Sequence, residues 1–287
     1  MTDPARPVAP TIAPTVAEAI RDAAQTLAAT SDTARLDAEV LMAHALGATR
    51  SELLLRHMRE NEPSGFAALV ERRLGHEPVA YITGEAEFYG LALEVSPAVL
   101  IPRGDSETLI EAARVAFTGR SPARVLDLGT GSGALLIAAL SLWGEAEGVG
   151  IDRSEQSLLV AARNAAAHTD NGVAFLQRDW TVPNWSDGLG RFDLILANPP
   201  YVEDDAALDA SVRAFEPAGA LFAGPDGLDD YRVLVPQLVG LLAPGGRALV
   251  EIGHTQAKAV IALGTEVGLS TQLHLDLASR ARAIAFF

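Results

Sequence analysis

From Arg124 to the end of the chain, short apolar runs alternate with segments of helical periodicity. That alternation restricts what the chain can become. Residues 124–128, 148–151, 173–176, 192–197, 247–252 and 269–275 read as strands, and 133–143, 154–167, 228–242 and 255–264 as helices. Strands that are apolar on both faces need helices on both sides, so the expected fold is α/β with a mostly parallel sheet. The last run, 281–287, follows its predecessor too closely for a parallel crossover, which needs a dozen or more residues. It should therefore pair antiparallel, near one end of the sheet.

The N-terminal third differs in period. Residues 1–14 hold Pro4, Pro7, Pro10 and Pro14 without an apolar run, and read as a disordered leader. Residues 15–77 read as a small helical bundle: Ala17, Ile20, Ala24 and Leu27 recur at helical spacing, as do Leu36, Val40, Ala43 and Leu46. Ser31 or Asp32 is expected to cap the second helix and Gly47 to end it. In residues 78–102, strand formers such as Val79, Tyr81, Ile82, Phe88 and Leu91 are broken by Gly84, Gly90 and Pro97, which predicts a β-hairpin linker. Residues 103–287 form the α/β domain.

The formal net charge of −15 disfavours nucleic acid as the main substrate, because phosphate binding needs a basic footprint. The chain has no cysteine, which removes disulfides, thiolate metal sites and thiol nucleophiles. Its six histidines show no metal-ligand spacing, so no metal site is expected. No apolar stretch is long enough to span a bilayer, and the expectation is a soluble, cytoplasmic monomer without a membrane role.

Two motifs carry chemistry. The first strand of the α/β region runs into Gly129-Thr130-Gly131-Ser132-Gly133 and then a helix. Glycines there permit a sharp turn and bring a ligand close to N–H groups at a helix N-terminus. Asp152 lies 19 residues beyond Gly133 at the end of the next strand. An acid at that offset can accept hydrogen bonds from ribose hydroxyls, or simply favour the following helix N-terminus. The loop alone does not choose between a nicotinamide and S-adenosylmethionine.

The second motif is Asn198-Pro199-Pro200-Tyr201, at the carboxyl end of a strand. The prolines stiffen the loop and donate no N–H, so its carbonyls have fixed directions. Asn198 Oδ1 and the Pro199 carbonyl could accept both N–H bonds of a planar amide or amino group. These bonds strengthen as the nitrogen gains positive charge, which favours the transition state. Tyr201 could lie flat against that group.

With these residues in view, the chain resembles the HemK-type (PrmC-type) family of protein glutamine methyltransferases. The resemblance runs through Tyr81-Ile82-Thr83-Gly84, Phe88-Tyr89-Gly90, Leu100-Ile101-Pro102-Arg103, the run 127–133 and the tetrad. It continues in Glu216-Pro217, Ala220-Leu221, Gly227-Leu228-Asp229 and Glu251-Ile252-Gly253. It implies a Rossmann-like seven-stranded S-adenosylmethionine domain and a helical domain that grips peptide chain release factors. The implied reaction methylates the glutamine of their Gly-Gly-Gln tripeptide. Cofactor contacts are implied for Gly129, Thr130, Gly131, Ser132, Gly133, Asp152, Asp179, Trp180 and Asn198, and substrate contacts for Asn198, Pro199, Pro200 and Tyr201. Where the family usually has Pro-Arg-Pro-Asp-Thr-Glu, this chain has Pro102-Arg103-Gly104-Asp105-Ser106-Glu107. Sister enzymes acting on a ribosomal protein share the tetrad, but Asp105 and Glu107 favour the release-factor branch. Enzymes acting on the adenine amino group share it too, and the acidic charge argues against them.

Overall fold

The computed structural model describes residues 13–170 and 172–287. Nearly all of the expected leader therefore lies outside the described residues. The chain divides into two compact units between Thr83 and Gly84.

The first unit is helical: α1 (Val16–Leu27), α2 (Ala34–Leu46), α3 (Arg50–Glu52), α4 (Phe66–Leu74) and α5 (Val79–Thr83). A capping box of Thr15 and Glu18 starts α1. Its buried stripe is Val16, Ala19, Ile20, Ala23 and Leu27, so Ala17 and Ala24 of the expected stripe sit at its margin. Neither Ser31 nor Asp32 caps α2. Thr33 takes that position without a capping bond, because the hydroxyls of Ser31 and Thr33 both donate to buried Asp37. Arg73 pairs with the same carboxylate at 2.7 Å. Gly47 ends α2 in the left-handed conformation, as expected. The clearest difference from the sequence reading is α5. Val79, Tyr81 and Ile82 are strand formers by type, yet they form a helical turn whose Tyr81 and Ile82 N–H groups bond the Pro78 carbonyl. Ile82 is buried with Leu41, Met42 and Phe66, so packing in the bundle overrides local preference.

The second unit opens with the hairpin β1 (Glu85–Phe88) and β2 (Leu91–Glu94). Its two-residue turn, Tyr89-Gly90, has positive φ at both positions, the geometry that matches strand twist. Tyr89 is held there by Glu107, which accepts its N–H, and by Glu111, which accepts its hydroxyl.

Among the described residues, a seven-stranded sheet follows in the order β5-β4-β3-β6-β7-β9-β8. Its strands are β3 (Arg124–Leu128), β4 (Glu147–Asp152), β5 (Val173–Gln177), β6 (Phe192–Ala197), β7 (Leu242–Glu251), β8 (Thr271–Leu275) and β9 (Ala281–Phe286). Only β9 runs against its neighbours, β7 and β8. Six helices accompany the sheet: α6 (Glu107–Ala116), α7 (Ala134–Leu142), α8 (Glu155–His168), α9 (Ala210–Phe215), α10 (Asp229–Leu241) and α11 (Ala257–Glu266). Alternate residues of the central strands feed two cores. Leu126, Leu128, Ile195 and Val250 pack with Tyr231, Leu234 and Leu238 of α10. Val125, Leu194, Leu196 and Leu249 pack with Leu109 and Ile110 of α6 and with most of α7. Periodicity assigns no element to the stretch forming α6, although Leu109, Ile110, Ala112 and Ala113 of that helix are buried in the second of these cores.

Candidate active site

The register of the sheet places the site. Leu128 of β3 pairs with Ile151 of β4 and Ala197 of β6, and Ala197 pairs with Val250 of β7. One residue further along each strand, the next row reads Asp152, Gly129, Asn198 and Glu251. The order of the chain also switches here: β3 leads outward to β4 and β5, and β6 returns to the other side of β3. A ligand crevice opens at such a switch point, outside the carboxyl ends of the strands.

The glycine loop is fastened to β4. The N–H groups of Gly129 and Thr130 both bond the Ile151 carbonyl, at 2.9 and 2.8 Å. Asp152 Oδ2 accepts the Gly131 N–H at 3.0 Å while Oδ1 accepts that of Ser154 at 2.9 Å. One carboxylate thus ties the loop to the start of α8, and each of its oxygens keeps acceptor capacity. Gly129 has φ of 74°, and a Cβ there would lie 3.1 Å from the Trp180 ring. Trp180 is itself fixed, its indole Nε1–H donating to Asp230 at 2.8 Å and its backbone carbonyl accepting from Gln237 at 3.1 Å.

A cleft with about 1120 Å³ of space free of protein atoms runs along this edge. Of the residues singled out from the sequence, Gly129, Thr130, Gly131, Ser132, Asp152, Asp179, Trp180, Asn198 and Pro200 line it. Gly133, Pro199 and Tyr201 do not. Gly133 is the N-cap of α7, and Pro199 is buried. Tyr201 packs beside the α10-side core, with its hydroxyl donating to Glu251 Oε1 at 3.2 Å. Its backbone is held by bonds to the Leu221 carbonyl and from Gln256, the latter at 3.0 Å. The structure adds Phe88, Arg103 and Ser106 to the lining. Arg103 forms an ion pair with buried Glu216, whose other oxygen accepts the Ile101 N–H. These residues stood inside the sequence motifs, but no spacing rule assigned them a place at the site.

Two buried carboxylates carry unusual electrostatics. Burial pushes Asp127 up to about 7; the Thr130 hydroxyl opposes the rise and the nearby Asp152 charge adds to it. Burial likewise pushes Glu251 up to about 7, against the Ser106 hydroxyl, Arg282 and Tyr201. A carboxyl whose folded pKa exceeds its unfolded one takes up protons on folding, so its ionisation removes stability as pH rises between the two values. Asp127→Asn should therefore gain stability relative to the parent as pH rises from about 4 to about 8. Urea midpoints at several pH values check this, and a difference independent of pH would contradict it.

The relatives decide the family. Residues 18–84 match the PrmC N-terminal domain and residues 120–258 a methyltransferase domain. A release factor glutamine methyltransferase from Caulobacter vibrioides is 38% identical over 261 residues, 88% of this chain and 89% of that protein. One from Xylella fastidiosa is 41% identical, covering 89% and 94%. The chain belongs to the release factor glutamine methyltransferase family. A methyltransferase structure from Pyrococcus furiosus shares the fold, with a TM-score of 0.51 at 17% identity, covering 76% of this chain and 96% of that one.

The cofactor of this methyltransferase fold is S-adenosylmethionine, and the cleft fits it. The Asp152 carboxylate beside the glycine loop could accept from ribose hydroxyls, the Trp180 indole could stack on a flat ring, and glycine would let a ligand approach the backbone. Among the described residues, no group of three or more His, Asp or Glu is gathered as for a metal ion, and no helix is long and apolar enough to cross a membrane. Loss of charge-assisted hydrogen bonds, each contributing about 1.5–3 kcal/mol, should make Asp152→Ala bind S-adenosylmethionine about 10–100-fold more weakly. Calorimetry checks this, and unchanged affinity would contradict a ribose contact for Asp152.

Proposed function

We propose that this chain transfers a methyl group to the side-chain amide nitrogen of the glutamine in the Gly-Gly-Gln tripeptide of peptide chain release factors. The observation that carries the reading is the position of Asn198. It lines the cleft at the switch point, one residue past the Leu128–Ala197 pair, and two prolines follow it. S-adenosylmethionine supplies a sulfonium-bound methyl that brings its own leaving group.

The protein's task is then to present a reluctant nitrogen. An amide lone pair is delocalised into its carbonyl, so positioning and charge stabilisation must supply the acceleration. In this reading Asn198 Oδ1 and the Pro199 carbonyl accept the amide protons and leave the lone pair facing the methyl carbon. Both bonds strengthen as positive charge develops on nitrogen, and the methylated nitrogen then releases one of its two protons to water. Tyr201 stiffens the tetrad from behind through Glu251. The helical unit grips the release factor, the working unit is a monomer, and the reaction takes place in the cytoplasm. A net charge of −15 fits a protein substrate better than a nucleic acid.

The test is incubation of the full chain with methyl-labelled S-adenosylmethionine and either a release factor or duplex DNA. Label is expected on one glutamine of the release factor and none on DNA. Label on DNA alone would overturn the reading.

A further inference from the structure

We infer that Ser106 and Glu251 are positioning residues that fix the rotation of the Asn198 carboxamide, holding its Oδ1 toward the cleft. The inference deepens the reading above and rests on its placement of Asn198. Ser106 stands at the N-terminus of α6, where a serine hydroxyl ordinarily accepts a backbone N–H of the first turn. Here it makes no capping bond. Instead Ser106 Oγ accepts from Asn198 Nδ2 at 3.3 Å, across 92 residues of sequence. Ser106 is 4% exposed, so the bond is screened from water.

Direction follows from chemistry. The Asn198 NH₂ can only donate, so Ser106 receives that bond and keeps its single proton for another acceptor. The candidate for that acceptor is Glu251. Its Oε1 takes the Tyr201 hydroxyl, whereas Oε2 is buried without a hydrogen-bond partner. No hydrogen bond joins Ser106 to Glu251, but the hydroxyl is near enough to favour the ionised carboxyl against burial. In this inference Glu251 gathers two branches of the tetrad, Tyr201 directly and Asn198 through Ser106. With Nδ2 committed on that side, the carboxamide oxygen is the end left for a substrate. Rotated by half a turn, Asn198 would offer donors where an amide needs acceptors.

The test compares Ser106→Ala, Ser106→Thr and Glu251→Gln in the full chain. The first readout is hydrogen exchange of the Asn198 side-chain amide by NMR with S-adenosylhomocysteine bound. The second is kcat and KM for a release factor. In Ser106→Ala the Nδ2 protons should exchange at least about 10-fold faster, and kcat should fall about 10–100-fold with little change in KM, as when an outer partner of a reacting group is lost. Ser106→Thr keeps the hydroxyl and should restore most of both. Glu251→Gln should loosen the Asn198 amide while Ser106 stays in place. Unchanged exchange with kcat within about twofold of the parent in Ser106→Ala would overturn the inference, as would a folded Ser106→Thr as impaired as the alanine variant. A parent chain that methylates no release factor would refute the proposed function alone, because the exchange rates still decide the relay.

Discussion

Asn198→Ala is expected to lower kcat for release-factor methylation by about 10²–10³-fold, the loss typical of removing one pre-organised partner of developing charge. The effect should fall on kcat more than on KM, because the bond to the substrate nitrogen strengthens only as that nitrogen becomes positive. Alanine leaves β6 and the prolines in place, so the fold should hold. Its thermal midpoint should stay close to the parent's, since Asn198 is only half-buried and, among the described residues, its side chain hydrogen-bonds to Ser106 alone. Steady-state kinetics with a purified release factor decides this, and turnover within about threefold of the parent would take the tetrad out of the mechanism.

Gly227→Ala is expected to cost about 2–5 kcal/mol of stability, combining about 1–2 kcal/mol for a left-handed alanine with about 1–3 kcal/mol for overpacking. Gly227 has φ of 65°, and a Cβ there would lie 2.3 Å from the Tyr201 carbonyl oxygen. That oxygen belongs to the backbone and cannot swing aside as a side chain could. Gln256 Nε2 also bridges the Tyr201 and Gly227 carbonyls, at 3.0 and 3.1 Å, so displacing either loosens the segment behind the tetrad. The variant should therefore lose activity even at temperatures where it remains folded. Chemical unfolding checks the first part and kinetics at low temperature the second; stability within about 0.5 kcal/mol of the parent would contradict the geometry.

What the sequence reveals of this molecule is what lies close together along the chain. A strand running into glycines and a helix, or a strand ending in Asn-Pro-Pro-Tyr, is complete within about ten residues, so its physical meaning is local. Once the strands are placed, their register brings Asp152, Gly129 and Asn198 into one row. The antiparallel β9 was legible too, from the short gap before it.

The supports of that row were not legible, because their partners are distant. Ser106 meets Asn198 across 92 residues, Glu251 meets Tyr201 across 50, and Arg103 meets Glu216 across 113. No periodicity encodes such pairs. The α5 turn was misread for a related reason. Val79, Tyr81 and Ile82 have strand-forming side chains, and only the bundle that buries Ile82 makes them helical. At α2, Ser31 and Thr33 look like capping residues, but Asp37, itself held by Arg73, draws their hydroxyls away. The bond from the Tyr201 hydroxyl to Glu251, 50 residues away, is equally hidden in the sequence.

The most direct measurement is a crystal structure of the full chain with S-adenosylhomocysteine and a Gly-Gly-Gln peptide. The account predicts the glutamine carboxamide between Asn198 and the cofactor sulfur, its nitrogen about 2.7–3.2 Å from both Asn198 Oδ1 and the Pro199 carbonyl. A peptide bound elsewhere, or Asn198 with its Nδ2 turned toward the cleft, would contradict it.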